Sequence, residues 1–379
     1  MRILFVNPGG SPYGGAERSL GLLVRGLVQH GHDVSVALLA EGAAKHLFAE
    51  AGARVEVISG ESLTGVRRHG TALAFAVGSA RSLPALAGTV RRLRALVARE
   101  RPDLVHTNGF RAHVTSPLVR SRQVWSLRDV APRAVQRRVL RAAARSVSGI
   151  AANSLFTAAQ VRGACPVVEV VYNPVEEMLL PSREEARSRL AVPPGRRVVA
   201  IVAHLHASKG HHVALDALRR FPQAERPFLI CAGGALYPDS EAYEGELRER
   251  ITAWDLGEDV RLLGAVDDVA GIYAAADVLL HPVLHPEGLG RAAIEAQRAG
   301  VPVVASRLGG MLEVVAHDET GLLVEPSRPD QIADALRSLL RNTALSARLT
   351  NAARVSSRRF DPAEHAQAMM RFYRRVLLR

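Results

Sequence analysis

Short β-branched or apolar runs alternate with helix-like stretches along the whole chain. In the first half the runs are Ile3–Val6, Val34–Leu39, Val55–Ile58, Leu104–His106, Val124–Leu127, Ile150–Ala152 and Val167–Val171. Segments such as Ala16–His30 and Leu83–Arg99 lie between them. This alternation predicts a parallel sheet covered by helices on both faces. The near-continuous apolar run Arg2-Ile3-Leu4-Phe5-Val6 fits a strand buried on both sides. A second series follows the Pro/Gly break Val192-Pro193-Pro194-Gly195. Its strands are Val198–Val202, Phe228–Cys231, Val260–Leu262, Val278–His281, Val301–Ala305 and Leu322–Val324, with helices such as Val213–Arg220 and Gln331–Leu340 between them. Phe360–Leu378 reads as a terminal amphipathic helix. The pattern predicts an α/β chain of two doubly wound Rossmann-like domains, 1–190 and 191–359. Two such domains facing each other would enclose a deep cleft at the carboxyl ends of both sheets.

Composition narrows the function classes. With 379 residues, 48% hydrophobic and 23% charged, the chain has the make-up of an ordinary globular protein rather than a disordered one. No run approaches the roughly 20 apolar residues of a membrane span, and the N-terminus reads directly as a strand. Cys165 and Cys231 are too few for a disulfide framework or a cysteine zinc site, which points to the cytoplasm. The net charge of +12 is uneven. Residues 1–185 hold 24 Lys+Arg against 14 Asp+Glu, a balance of +10, leaving +2 for the rest. Such asymmetry suits an anionic membrane surface or an acidic partner of the first half. With 4% aromatics and no recognisable module, nucleic acid is not indicated. Arg133, Arg137, Arg138, Arg141 and Arg145 form a basic helix face, a solvated surface by default and a peripheral membrane contact as the alternative.

The densest chemical signal runs from His281 to Ser306. A strand enters the Pro/Gly-rich loop containing Glu287-Gly288-Leu289, then a helix starts near Gly290. A glycine loop feeding a helix N-terminus offers free N–H groups and the positive dipole end to an anion. Glu287 in that loop suits ligand hydroxyls, and Glu295 further along suits a diol such as ribose. In isolation, the pair would read as a helix cap and a solvated residue.

The surroundings resemble the retaining glycosyltransferases of family 4. The likeness is carried by the E-x7-E of Glu287 and Glu295 and by the glycine loop Pro8–Glu17 with Gly14 and Gly15. It continues through Gly31-His32-Asp33-Val34, Asp103-Leu104-Val105-His106-Thr107-Asn108, Ala152-Asn153-Ser154, Val171-Tyr172-Asn173-Pro174-Val175, Lys209-Gly210 and Gly309-Gly310-Met311-Leu312-Glu313. The resemblance implies the two-domain GT-B fold, with the helix 360–379 packing back on the first domain. It implies transfer of a sugar from a nucleotide diphosphate donor to an acceptor hydroxyl with retention, and needs no metal and no cofactor. A UDP-sugar is the first expectation and GDP-mannose the second. The acceptor is a glycan, a lipid-linked sugar or a natural product. A sugar-nucleotide epimerase or hydrolase, or a non-catalytic nucleotide-sugar-binding protein, would be the alternative.

The resemblance distributes the residues by role. Glu287, Lys209 and Arg128 are the catalytic candidates. Lys209 supplies a compact charge for phosphate, and Arg128, which cannot act as a base, would stabilise phosphate or orient an acceptor oxygen. Gly14, Gly15, His204, Gly288, Leu289, Gly290, Arg291 and Glu295 are donor-side candidates, His204 standing where the family has an arginine. Asn108, Arg111 and His113 are acceptor-side candidates by position, since they follow a strand at its carboxyl end, where ligands bind. His211-His212 reads as a helix start, and Asp267-Asp268 as a strand-to-helix connection.

Overall fold

The computed structural model describes residues 1–9, 14–58, 83–115, 118–131, 134–235 and 238–379, with only the backbone at 83–86, 111, 114, 115, 238 and 239. The chain divides into two units. The first is Met1–Pro174 with Pro362–Arg379, and the second is Val175–Asp361.

The first unit is built on seven strands: β1 Arg2–Asn7, β2 Asp33–Leu38, β3 Arg54–Val57, β4 Leu104–Asn108, β5 Gln123–Leu127, β6 Gly149–Ala152 and β7 Val168–Val170. All pair in parallel, in the order β3-β2-β1-β4-β5-β6-β7. β4, β5 and β6 are buried along their whole length, as expected for strands covered on both faces. The helix Gly15–Gln29 turns Leu20, Leu23, Val24 and Leu27 into the core, the spacing of one helical face. It stops at His30, followed by Gly31 at φ 75°, the left-handed position that glycine occupies without strain.

The last helix, Pro362–Leu377, belongs to this unit. It packs on the helix Gly15–Gln29 and buries Met369, Phe372, Tyr373 and Val376 in the same core. Its Tyr373 hydroxyl lies 2.5 Å from His106 Nδ1, while His106 Nε2 lies 2.8 Å from Ser126 Oγ. Burial first, and Arg128 second, push the His106 pKa well below its ordinary value.

The second unit holds β8 Val198–Val202, β9 Phe228–Ala232, β10 Val260–Gly264, β11 Val278–His281, β12 Val303–Ser306 and β13 Leu322–Val324. Their order is β10-β9-β8-β11-β12-β13, again all parallel. Cys231 is core, and burial pushes its thiol up to about 12.

The expected domain boundary at residue 190 is corrected. The helix Arg183–Arg189 packs on the helix Ala270–Ala275, and Arg183 and Arg187 bind the Asp277 carboxylate at 2.5 and 2.7 Å. The Pro193-Pro194-Gly195 break is therefore a turn inside the second unit. Strand order reverses between β1 and β4 in one unit and between β8 and β11 in the other. In open parallel sheets such switch points are where ligands bind, outside the carboxyl ends of the strands.

Candidate active site

In the second unit, the loops leaving β8 and β11 meet at the switch point. The loop after β8 forms a short turn, Ala207–Lys209, and Gly210 at φ 72° then opens the helix His211–Leu218. The Leu284 N–H donates to the Ser208 carbonyl at 2.8 Å, fastening this turn to the loop after β11. Lys209 Nζ consequently meets Glu287 Oε1, although 78 residues separate them. The other carboxylate oxygen of Glu287 lies 3.0 Å from His281 Nε2, at the end of β11. Burial alone would raise the Glu287 pKa, but Lys209, then His281, holds it well below the usual carboxylate range. Side-chain exposures of 17% for Lys209 and 24% for Glu287 leave the pair reachable from solvent.

Two glycines brace the Glu287 backbone. Gly310 N–H donates to the Glu287 carbonyl at 2.9 Å. A Cβ on Gly310 would run into the Gly288 carbonyl, and one on Gly309 would lie 2.7 Å from that of Glu287. Gly290, at φ 84°, stands before the helix Arg291–Ala299, which has no side-chain cap. Its first N–H groups are the orphan donors of a helix N-terminus.

Glu295 is buried, at 6% exposure, rather than solvated. Arg291 Nε donates to its Oε1 at 2.6 Å and the Tyr273 hydroxyl to its Oε2 at 2.8 Å. Leu289 is buried and Gly288 half-buried in the same loop. His204 is half-buried just beyond β8, its ring centroid 6.1 Å from that of His206. Asp268 Oδ1 accepts the Ala270 N–H at 2.8 Å, a helix-start contact. Among the described residues, no group of three or more His, Cys, Asp or Glu side chains could hold a metal ion.

The first unit gathers different residues at its switch point. Gly14 is the N-cap of the helix that begins at Gly15, and the glycine-loop residues 10–13 lie outside the described ones. Asn108 closes β4 and donates through Nδ2 to Asn7 Oδ1 at 2.7 Å. Arg128 Nη1 donates to the Ala16 carbonyl at 2.6 Å, tying the end of β5 to the first helical turn. Glu17 lies near Arg128; burial raises its carboxyl pKa against that attraction.

His113 is corrected as an acceptor contact. It is fully buried, stacked on Trp125 at 4.6 Å, with Nδ1 2.8 Å from Thr107 Oγ1 and Nε2 3.1 Å from the Ser126 carbonyl. Burial lowers its pKa to about 4, so it is a neutral internal support. The Arg111 side chain lies outside the described ones. On the helix Ala134–Ala144, Arg137 and Arg141 bind backbone carbonyls at 3.0–3.1 Å, so the expected basic face is only partly a free one. Val135 and Val139 are exposed beside them, and Arg133 lies outside the described residues.

Comparison with known proteins follows this division. Residues 13–177 match the family described as Glycosyltransferase Family 4, and residues 182–356 match Glycosyl transferases group 1. This chain belongs to glycosyltransferase family 4. The family 4 chain superposes on HepE of Anabaena, solved in complex with UDP and glucose, with a TM-score of 0.84 and 27% identity. The match covers 99% of each chain. The sucrose-phosphate synthase of Thermosynechococcus elongatus, with a TM-score of 0.82, 20% identity and coverage of 100% and 99%, supports the GT-B fold alone. The D-inositol 3-phosphate glycosyltransferase of Corynebacterium urealyticum is 33% identical over 199 residues, 50% of this chain and 46% of that protein. That of Corynebacterium efficiens is 35% identical over 198 residues, 50% and 45%. The chain thus spans about half the length of these curated relatives. Among the described residues, no helix is long and apolar enough to cross a membrane.

The sequence pointed to Glu287, Lys209 and Glu295, but not to the side chains that hold them. His281, Tyr273 and Glu17 were missed as site residues. A histidine ending an otherwise apolar strand was the available signal for the first.

Proposed function

We propose that the chain is a retaining glycosyltransferase that uses a UDP-sugar, with GDP-mannose as the second-ranked donor, and no metal. The observation that carries this reading is the Lys209–Glu287 pair beside the uncapped helix start at Arg291. An ammonium and a row of free N–H groups can neutralise a departing diphosphate, and a neighbouring carboxylate can accept hydrogen bonds from sugar hydroxyls. The HepE complex with UDP-glucose supports the choice of base.

In this reading the bond between the anomeric carbon and the phosphate oxygen breaks while the acceptor oxygen bonds that carbon on the same face. The acceptor proton passes to the leaving phosphate oxygen. Lys209 stabilises that oxygen's charge, Glu287 holds the sugar, and Glu295 binds the ribose. Within the second unit, His204, Gly288 to Gly290 and Arg291 line the donor; Gly14 and Gly15 are the donor-side candidates of the first unit. Arg128 and Asn108 act on the acceptor, a hydroxyl of a glycan, lipid-linked sugar or natural product. The protein works in the cytoplasm, with Val135, Arg138 and Val139 as the surface that would meet an anionic membrane.

The test is incubation with radiolabelled UDP-glucose or GDP-mannose and a panel of sugar, lipid-linked and small-molecule acceptors, with the product's anomeric configuration read by NMR. A retained anomer in a transfer product is expected. Release of free sugar alone, an epimerised donor, or an inverted product would overturn the reading.

A further inference from the structure

β11 ends on His281, a polar residue in a strand otherwise made of Val278, Leu279 and Leu280, and its side chain is only 5% exposed. The strand backbone is locked, since His281 pairs with Ala305 of β12. Its Nε2 faces Glu287 Oε2 at 3.0 Å, and a Cβ built on Gly290 would lie 3.7 Å from the same nitrogen. The imidazole therefore stands between the carboxylate and the start of the helix Arg291–Ala299.

The two partners of Glu287 are not equivalent. Lys209 sits on a short turn and carries its charge on a flexible four-carbon stem. His281 is a ring on a buried strand, with little freedom to leave. A diphosphate entering beside Lys209 competes with Glu287 for the ammonium. Glu287 Oε1 then becomes free to accept a sugar hydroxyl, while Oε2 keeps its bond to His281.

We propose that His281 is a positioning residue: through its Nε2–H it fixes the Glu287 carboxylate toward the sugar once Lys209 has turned to the diphosphate. The inference rests on the donor reading above. The Gly310 N–H holds the Glu287 main chain, so the imidazole supplies the remaining constraint, the rotation of the carboxylate itself.

The test measures UDP and UDP-glucose affinities separately, by calorimetry, for the wild type and three variants. His281→Leu removes the donor. His281→Asn keeps polarity but falls short of Glu287, and His281→Gln places an N–H near the Nε2 position. UDP affinity should stay within about threefold throughout, because UDP carries no sugar. The ratio of UDP-glucose to UDP affinity should fall about tenfold in the Leu and Asn variants, the scale of one hydrogen bond to a charged group, and recover in the Gln variant. An unchanged ratio in His281→Leu, or a Gln variant no better than Leu, overturns the proposal. Loss of UDP binding in both Leu and Asn variants marks the imidazole as a packing residue and overturns it too. A wild type that binds UDP and UDP-glucose but transfers no sugar sinks the function proposed above and leaves this inference standing. A wild type that binds neither removes both.

Discussion

The two switch points occupy the same place in two similar sheets, yet their electrostatics are opposed. In the first unit a neutral network turns inward, Asn7 with Asn108, Thr107 with His113, His106 with Ser126 and Tyr373, and the charged Arg128 beside it ties elements together through a backbone carbonyl. In the second the polar contacts are ionic and partly open, with Lys209 on Glu287 and Arg291 on Glu295. Neutral networks fix one packing arrangement, because every unmade bond is costly. An ion pair can do more. Its members offset part of each other's desolvation penalty until a ligand of matching charge replaces one partner. The two sheets thus differ in the kind of polar contact they place at the strand ends.

The strongest test of that contrast is to remove charge from the second unit. Lys209→Ala and Glu287→Ala should each lower sugar transfer about a thousandfold, with thermal melting still showing a folded chain. Near-normal transfer in either variant would remove that residue from the chemistry.

Acid should separate the units next. Burial lowers the His106 pKa well below its ordinary value, that of His113 to about 4 and that of His365 to about 3 in the first unit. In the second, His211 is lowered to about 3, and His212 less strongly. These rings stay neutral when folded but protonate near pH 6.5 when unfolded. Their stabilisation is complete above that pH and is lost as pH falls toward the folded values. At pH 5.5 each ring held at about 4 or lower costs about 1.4 kcal/mol, so with His113 and His365 against His211 the first unit should lose more than the second. Trp125 lies in the first unit and Trp254 in the second, and the chain has two tryptophans. Melting of the Trp254→Phe and Trp125→Phe variants, each followed by the remaining tryptophan, reads the units separately. Equal shifts between pH 7 and pH 5.5 would contradict the contrast.

Glu295→Gln sharpens the picture within the second unit. It keeps the shape but weakens the bond from Arg291, so donor affinity should drop about tenfold with little change in maximal rate. A rate loss at unchanged affinity would argue against a ribose contact. The smallest effect is expected from chelation: transfer in excess EDTA should match the untreated protein. Loss restored by magnesium or manganese would reverse that expectation.

All thirteen strands among the described residues were legible in the sequence: those buried on both faces, such as β4, β5 and β6, read as near-continuous apolar runs, and the half-exposed β3 and β7 as β-branched residues alternating with a charge. The boundary was not. Pro193-Pro194-Gly195 marks a turn whether it lies between units or inside one, and only the packing of Arg183–Arg189 on Ala270–Ala275 decides which. The site was legible where a motif carries it, at Lys209, Glu287 and Glu295. His113 and Asn108 both lie at or just past the end of β4, and spacing alone cannot tell a residue facing a ligand from one facing Trp125. Glu295 looked solvent-facing in isolation because Tyr273, which closes over it, arrives from a separate helix, Ala270–Ala275, while Arg291 lies one turn earlier on its own helix.

The path of the chain has a consequence for how it is made. The second unit begins and ends at one point, where the Val175 N–H meets the Phe360 carbonyl at 2.8 Å. The first unit closes its core only with Tyr373, 267 residues after the His106 it touches. On a ribosome, the segment made second has its full sequence available first. The segment made first must wait, with the side of its opening helix around Gly26, where Ala366 packs, still uncovered by Pro362–Leu377. During synthesis, this stretch of apolar surface is the one a nascent-chain chaperone would have to shield longest.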